Sequence, residues 1–250
     1  MRRSSPRKSS IGPGLEERRV NAILDALHIS DPADLQRLED IAWERGAYVQ
    51  ERLLEGAEAM IVMRGSRAII TVSSRTPEAT RKRFSIAHEL GHFELHRREP
   101  LSLCSKQDLE WAAQQAAQSR EQQANVFASA LLMPRRFVQA YCEDCDPELE
   151  RVVDLADRFG VSRTAAGRKF VELSPWPCAL VLVRRGRIAW FVGSTSLTEL
   201  GCFVDVHAKA HDGLHRPRLE RGSKPITARR PVAADAWLAP GRYPRKTQLF

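Results

Sequence analysis

Arg83-Phe84-Ser85-Ile86-Ala87-His88-Glu89-Leu90-Gly91-His92 is the stretch on which the reading of this chain turns. Residues four apart share one face of an α-helix, so His88 and His92 can offer two imidazoles to one tetrahedral metal ion. Glu89 then stands beside such an ion rather than on it, where a carboxylate can take a proton from an attacking water. The five-residue pattern also arises by chance, so its surroundings carry weight. Thr76-Pro77-Glu78 reads as an N-cap, a first-turn proline and an acid that suits the helix dipole, which predicts a helix starting there. Phe84, Ala87, Leu90 and Gly91 form its expected apolar stripe. Gly91 weakens a helix for no local reason; a residue that small predicts close approach by another backbone or by a substrate.

A catalytic zinc site takes three protein ligands and keeps a fourth position open. His96 continues the series of histidines. However, it lies about 12 Å along the axis from His88 at ~1.5 Å per residue, too far for the two to share one ion comfortably. A metzincin pattern would want a histidine six residues after His92, where Arg98 stands. Glu121 is the better candidate. It opens Glu121-Gln122-Gln123-Ala124-Asn125-Val126-Phe127-Ala128, a second helical stretch that ends at Met133-Pro134, where proline stops a helix. Glu121, Ala124, Asn125 and Ala128 share a face of mostly small side chains, as a close helix–helix contact requires. By spacing alone, Glu121 is equally well one more solvated acid on a glutamine-rich helix.

The first stretch extended by Leu95-His96, then Glu121-x-x-Ala124-Asn125-x-Phe127-Ala128-x-x-Leu131-Leu132-Met133-Pro134, resembles the ImmA/IrrE family of metallopeptidases, with the likeness running over residues 20–175. The resemblance implies one Zn²⁺ held by His88, His92 and Glu121, with Glu89 as the general base. It implies an α+β fold whose main part is a zincin-like metallopeptidase domain carrying the His88–His92 helix. It also implies a substrate class, bacterial helix-turn-helix repressors cut once to relieve repression in a stress or mobile-element response. Composition and spacing say nothing about that substrate. The alternative is a non-catalytic, zinc-stabilised regulator that binds a repressor or DNA, against which the intact Glu89 weighs.

A chain of 250 residues can bury a full core, and 43% hydrophobic with 28% charged residues is ordinary for a soluble globular protein. No apolar run approaches the length of a membrane span, so no membrane partner is expected. Met1 to Gly14 is basic and rich in Ser, Pro and Gly without an apolar segment, which predicts a disordered tail, not a secretory signal, and a cytoplasmic protein. Five cysteines, Cys104, Cys142, Cys145, Cys178 and Cys202, are an odd number at no disulfide-like spacing, as suits a reducing compartment. Cys142-Glu143-Asp144-Cys145 lacks the second pair that a structural zinc site needs. The net charge of +8 is concentrated at the ends, in Arg2, Arg3, Arg7 and Lys8 and again from Arg216 to Lys246. Such ends are solvated segments that can make weak, non-specific contact with DNA.

Along the chain, Val20–Leu27 and Asp34–Gly46 read as helices, the second with Leu35, Leu38, Ile41 and Ala42 inward and Gly46 as C-cap. Tyr48–Leu54 reads as a strand. Ala59–Met63 and Ala68–Val72 read as a hairpin whose second strand borders the cleft, where an extended peptide could add to its edge. Asp108–Leu132 is the second long helix and Phe137–Tyr141 a shorter one. Residues 152–170 have the form of a helix-turn-helix, with Gly160 at the turn and Ser162 as N-cap. As a DNA reader it would use Arg163, Arg168 and Lys169; plain packing of the peptidase fold is the preferred expectation. The expected layout is a domain over 15–174 followed by a basic, β-containing region over 175–250. That region holds a hairpin from Cys178 to Val192 and a strand over 202–206. His207, His211 and His215 lie in what reads as a solvated loop.

Overall fold

The computed structural model describes residues 14–96, 106–184 and 187–204, together with 232–233 and 248–249. The expectations for the N-terminal tail, Arg98, Cys104, the three histidines from His207 and the basic C-terminal residues fall outside those residues. The architecture is mixed α and β, with eight α-helices and three small sheets among the described residues. None of those helices is long and apolar enough to cross a membrane. The chain packs as two compact units that meet in sequence between Pro134 and Arg135, inside the span expected as one domain.

The first unit opens with α1 (Leu15–Ala26), which buries Val20, Ile23 and Leu24. The helix expected over 34–46 is broken in two: a 3₁₀ turn (Pro32–Gln36) capped by Asp31, then α2 (Leu38–Glu44). Its inward residues are as expected, since Leu35, Leu38, Ile41 and Ala42 are all buried. Gly46 follows α2 with a φ of +91°, and a Cβ there would stand 2.7 Å from the Ser66 carbonyl oxygen, so only glycine passes this corner without strain. Then come β1 (Ala47–Arg52), β2 (Ala59–Arg64) and β3 (Arg67–Ser73), the last two joined by a turn through Gly65 at φ +61°.

The strand order is β1-β3-β2, with β1 parallel and β2 antiparallel to β3. This corrects the placement of β3 at an open edge. Both of its edges are paired, so its backbone has no hydrogen bonds left for a peptide. Among the described residues, the unpaired edges of this sheet belong to β1 and β2. Ala68, Ile70 and Val72 point into the core, whereas Tyr48, Ile69 and Val62, which are register partners, are exposed on the other face.

α3 (Ala79–His96) packs on β2 and β3, and α4 (Lys106–Leu132) packs on α3 and α1. α3 begins two residues later than an N-cap at Thr76 predicts. The Thr76 amide is spent on the Ser73 carbonyl, and the first helical bonds, from Arg81 and Lys82, run to the Glu78 carbonyl instead. The buried stripe also differs: Ala87, Leu90 and Gly91 are inside as expected and Ile86 and Phe93 join them, but Phe84 is 39% exposed. Burying residues such as Leu90, Phe93, Phe127 and Leu131 contributes roughly 1.5–3 kcal/mol each.

A buried charge cluster ties these elements together. The Glu94 side chain is fully buried on α3 and accepts from Arg19 Nε at 2.8 Å and from Arg45 Nε at 2.9 Å, linking α3 to α1 and to the end of α2. Arg83 donates to the backbone carbonyls of Leu35 at 2.8 Å and Gln36 at 2.9 Å, pinning the opposite end of α3 to the 3₁₀ turn. The helix of the decisive motif is thus fixed at both ends.

In the second unit, α5 (Arg135–Glu143) and α6 (Leu149–Phe159) pack on α7 (Arg163–Leu173), which packs in turn against the hairpin of β4 (Ala179–Arg184) and β5 (Arg187–Gly193). Gly160, at φ +61°, ends α6 in the left-handed conformation, and the Ser162 hydroxyl accepts from the Ala165 amide at 3.2 Å to start α7. α7 is enclosed. Gly167 lets it lie against β4, where a Cβ would stand 2.7 Å from Leu180 Cδ2. Lys169 is buried with Glu172 at 3.2 Å, and the Arg168 guanidinium stacks over Trp190 at 4.8 Å. Of the three cations weighed as base readers, Lys169 therefore serves internal packing, while Arg163 and Arg168 stay exposed. A short helix that the sequence did not announce, α8 (Thr195–Glu199), is capped by the buried Ser194 hydroxyl. The strand expected over 202–206 is absent from its described part, apart from a single bridge residue at Val204. The two remaining strands, β6 (Val232–Ala233) and β7 (Gln248–Leu249), pair antiparallel.

Candidate metal centre

Two helices make the site. The spacing within α3 puts His88 and His92 on one face, and their Nε2 atoms lie 3.1 Å apart. α4 comes close enough to add a third donor because Gly91 leaves room. A Cβ on Gly91 would stand 3.0 Å from Phe127 Cδ1 and 3.2 Å from both Cα and O of Ala124. The expectation of a close backbone approach at Gly91 is met, and the approaching backbone is α4. One turn before Ala124, Glu121 brings its carboxylate to 3.2 Å from His88 Nε2 and 3.3 Å from His92 Nε2.

These three donors suit a metal ion. Among the described residues, His88, His92 and Glu121 form a group able to hold one, with ligand atoms all within 4.8 Å of one another. Two bonds of ~2.0–2.1 Å at tetrahedral angles put their donor atoms about 3.3–3.4 Å apart, close to the separations observed. Two imidazoles and a carboxylate are also the donor types that borderline metals such as zinc accept. The imidazole side chains are 17% and 16% exposed, against 60% for Glu121, so the site opens to solvent on its carboxylate side.

Electrostatics points the same way. Burial pushes the His92 imidazole below its ordinary pKa, with the Glu121 carboxylate opposing, and so favours the neutral form that a metal requires. Burial pushes the Glu89 carboxyl above its ordinary pKa; His88 counters this and Glu121 adds to it. A carboxylate tuned upward is a stronger base, in keeping with the role assigned to Glu89.

The two candidate imidazoles are backed by a second row of side chains. His88 Nδ1 meets Asn125 Oδ1 at 3.0 Å, His92 Nδ1 meets His96 Nδ1 at 3.1 Å, and His96 Nε2 meets Gln123 Oε1 at 2.9 Å. The sequence reading placed Asn125 on a contact face of mostly small residues and set His96 aside as a ligand. Both ring nitrogens of His96 are engaged inside the protein, in keeping with that. Gln123 was missed; the only signal available was that amides on α4 suit the outer nitrogens of α3 histidines.

Among the described residues, Cys142 and Cys145 belong to no group of three possible metal donors. Cys142 is buried, Cys145 Sγ lies 3.2 Å from the Tyr141 carbonyl, and burial raises the Cys145 thiol above its ordinary pKa, opposite to what a reactive thiolate needs.

No curated protein matches the chain. Among solved structures it is similar to a Mycobacterium tuberculosis transcriptional regulator, at 16% identity and a TM-score of 0.46 over 71% of this chain and 54% of that one. The chain thus spans about half the length of that regulator, and the likeness is too slight to carry a statement about activity. The family model described as the IrrE N-terminal-like domain, Peptidase_M78, matches residues 42–170. With that match running over more than half of its length and through both helices that carry the donors, the chain belongs to the Peptidase_M78 family of metallopeptidases.

Proposed function

We propose that this protein is a zinc-dependent endopeptidase, with a zincin-like core, that cuts a helix-turn-helix transcriptional repressor and so relieves repression in a stress or mobile-element response. The observation that carries this reading is the convergence of His88, His92 and Glu121 from two helices, with Glu89 next to a ligand and its carboxyl pushed upward. Zinc bound there would lower the pKa of water and polarise a scissile carbonyl. Glu89 accepts the proton of the attacking water and returns it to the leaving amine as the peptide bond breaks. His88, His92 and Glu121 act as ligands and do not exchange protons in the reaction. The unpaired edges of β1 and β2 offer an extended substrate backbone hydrogen bonds that hold it in register. The repressor as substrate and the cytoplasm as location follow from the resemblance and the composition.

The test is a mass-spectrometric survey of new protein N-termini in cells making this chain or its Glu89→Gln variant, with and without stress. A fragment of a helix-turn-helix protein seen only with the intact chain is expected. With purified components, Glu89→Gln keeps one bound zinc while the cleavage rate falls by about 10²–10⁴. Glu121→Ala loses affinity for the metal itself. A chain that binds zinc yet yields no fragment under any condition would overturn the peptidase reading and leave a zinc-stabilised regulator.

A further inference from the structure

The second row of side chains does more than fill space around the imidazoles. Gln123 Oε1 can only accept a hydrogen bond, so the proton at its 2.9 Å contact belongs to His96 Nε2. A neutral imidazole carries one N–H, which leaves His96 Nδ1 as an acceptor. The proton between the two Nδ1 atoms, 3.1 Å apart, is then that of His92. His92 is thereby left with a bare Nε2, aimed at the point where His88 Nε2 and the Glu121 carboxylate also converge. The same logic runs through His88, whose Nδ1 donates to Asn125 Oδ1 at 3.0 Å. Lone pairs brought this close repel one another, and a cation among them turns that repulsion into ligation.

We infer that His96, backed by Gln123, is a positioning residue that locks His92 in the Nδ1–H tautomer and so presents Nε2 to the metal. This deepens the proposed function and rests on its reading of His88, His92 and Glu121 as ligands. It gives the third histidine of α3 a use that the spacing alone did not suggest. His96 acts one residue removed from the ion, orienting a ligand as outer partners of metal-bound histidines do. It also joins the two helices, since Gln123 sits on α4 and His92 on α3, so the tautomer depends on their correct docking.

Two substitutions separate the hydrogen bond from bulk. His96→Phe keeps a ring and removes the acceptor. His96→Asn sets an amide oxygen close to where Nδ1 stood and restores it. Long-range proton–nitrogen NMR spectra of the metal-free, full-length chain read the His92 tautomer directly, and a competition titration with a chromophoric chelator reads zinc affinity. We expect the Nδ1–H form of His92 in the unsubstituted chain and in His96→Asn, and its loss in His96→Phe. Zinc affinity should fall about 10–100-fold in His96→Phe and recover in His96→Asn. An Nε2–H tautomer in the unsubstituted chain, or equal zinc affinity in His96→Phe, overturns the inference while leaving the ligand set standing. So does His96→Asn binding as weakly as His96→Phe. An unsubstituted chain that binds no zinc overturns the ligand reading, and the positioning role with it.

Discussion

Gly91→Ala is the sharpest test of how the centre is built, because two opposing terms decide its sign. Replacing glycine by alanine inside a helix stabilises by about 1 kcal/mol when the new methyl meets nothing. Here the added Cβ would stand 3.0 Å from Phe127 Cδ1 and 3.2 Å from both Cα and O of Ala124, where comfortable carbon contacts lie at about 3.5–4.0 Å. The aromatic ring can turn aside, but the α4 backbone cannot, so the two helices must separate by a few tenths of an ångström. Crowding of this kind costs about 1–3 kcal/mol. The net expectation is a loss of roughly 1 kcal/mol, about fivefold in the folding constant. Glu121 lies three residues before Ala124 on the displaced helix, so its carboxylate retreats from the imidazoles and zinc affinity falls several-fold as well. Urea unfolding of the metal-free chain measures the first effect, and a competition titration with a chromophoric chelator the second. A Gly91→Ala chain about 1 kcal/mol more stable than the original, with unchanged zinc affinity, would refute the close docking of α4 on α3.

Glu94→Leu should destabilise the fold by about 2 kcal/mol, because Arg19 and Arg45, whose side chains are 34% and 24% exposed, lose the buried carboxylate to which they donate. Chemical denaturation checks this, and a change below ~0.5 kcal/mol would show that water compensates both arginines. Tyr141, half-buried and donating to Asp154 Oδ2 at 2.8 Å, has its hydroxyl pushed up to about 12, first by burial and then by that bond. The folded state holds this proton more tightly than the unfolded chain does. The resulting stability is fully present below the ordinary tyrosine pKa of ~10 and is lost as pH rises through the folded value. Alkaline titration by tyrosinate absorbance should therefore show a late-ionising tyrosine, and Tyr141→Phe should remove that late step.

Much of the secondary structure was legible because it is written in local periodicity. The hairpin of β2 and β3 announces itself through two apolar runs around Gly65, and α4 announces its end through Pro134. The break between the 3₁₀ turn and α2 was not legible, since the apolar positions Leu35, Leu38, Ile41 and Ala42 keep one helical rhythm across it. Nor was the exposure of Phe84, which depends on where neighbouring elements stop rather than on its own position in the stripe. The order β1-β3-β2 lay equally out of reach, because strand pairing is set by long-range packing and a hairpin fits a sheet either way round.

The sequence by itself determined the pair of imidazoles, with Glu89 beside them. An i, i+4 relation on one helix is a property of helix geometry and holds whatever the rest of the chain does. The third donor was only a candidate until the fold brought it in. Glu121 lies on a different helix from His88, and only the docking of α4 over Gly91 sets its carboxylate 3.2–3.3 Å from both imidazoles. The tertiary structure alone gave His96 its place, with both nitrogens bonded, and sealed Glu94 between two arginines. Each depends on a partner from another element, and the distance between elements is the sum of every contact in the core.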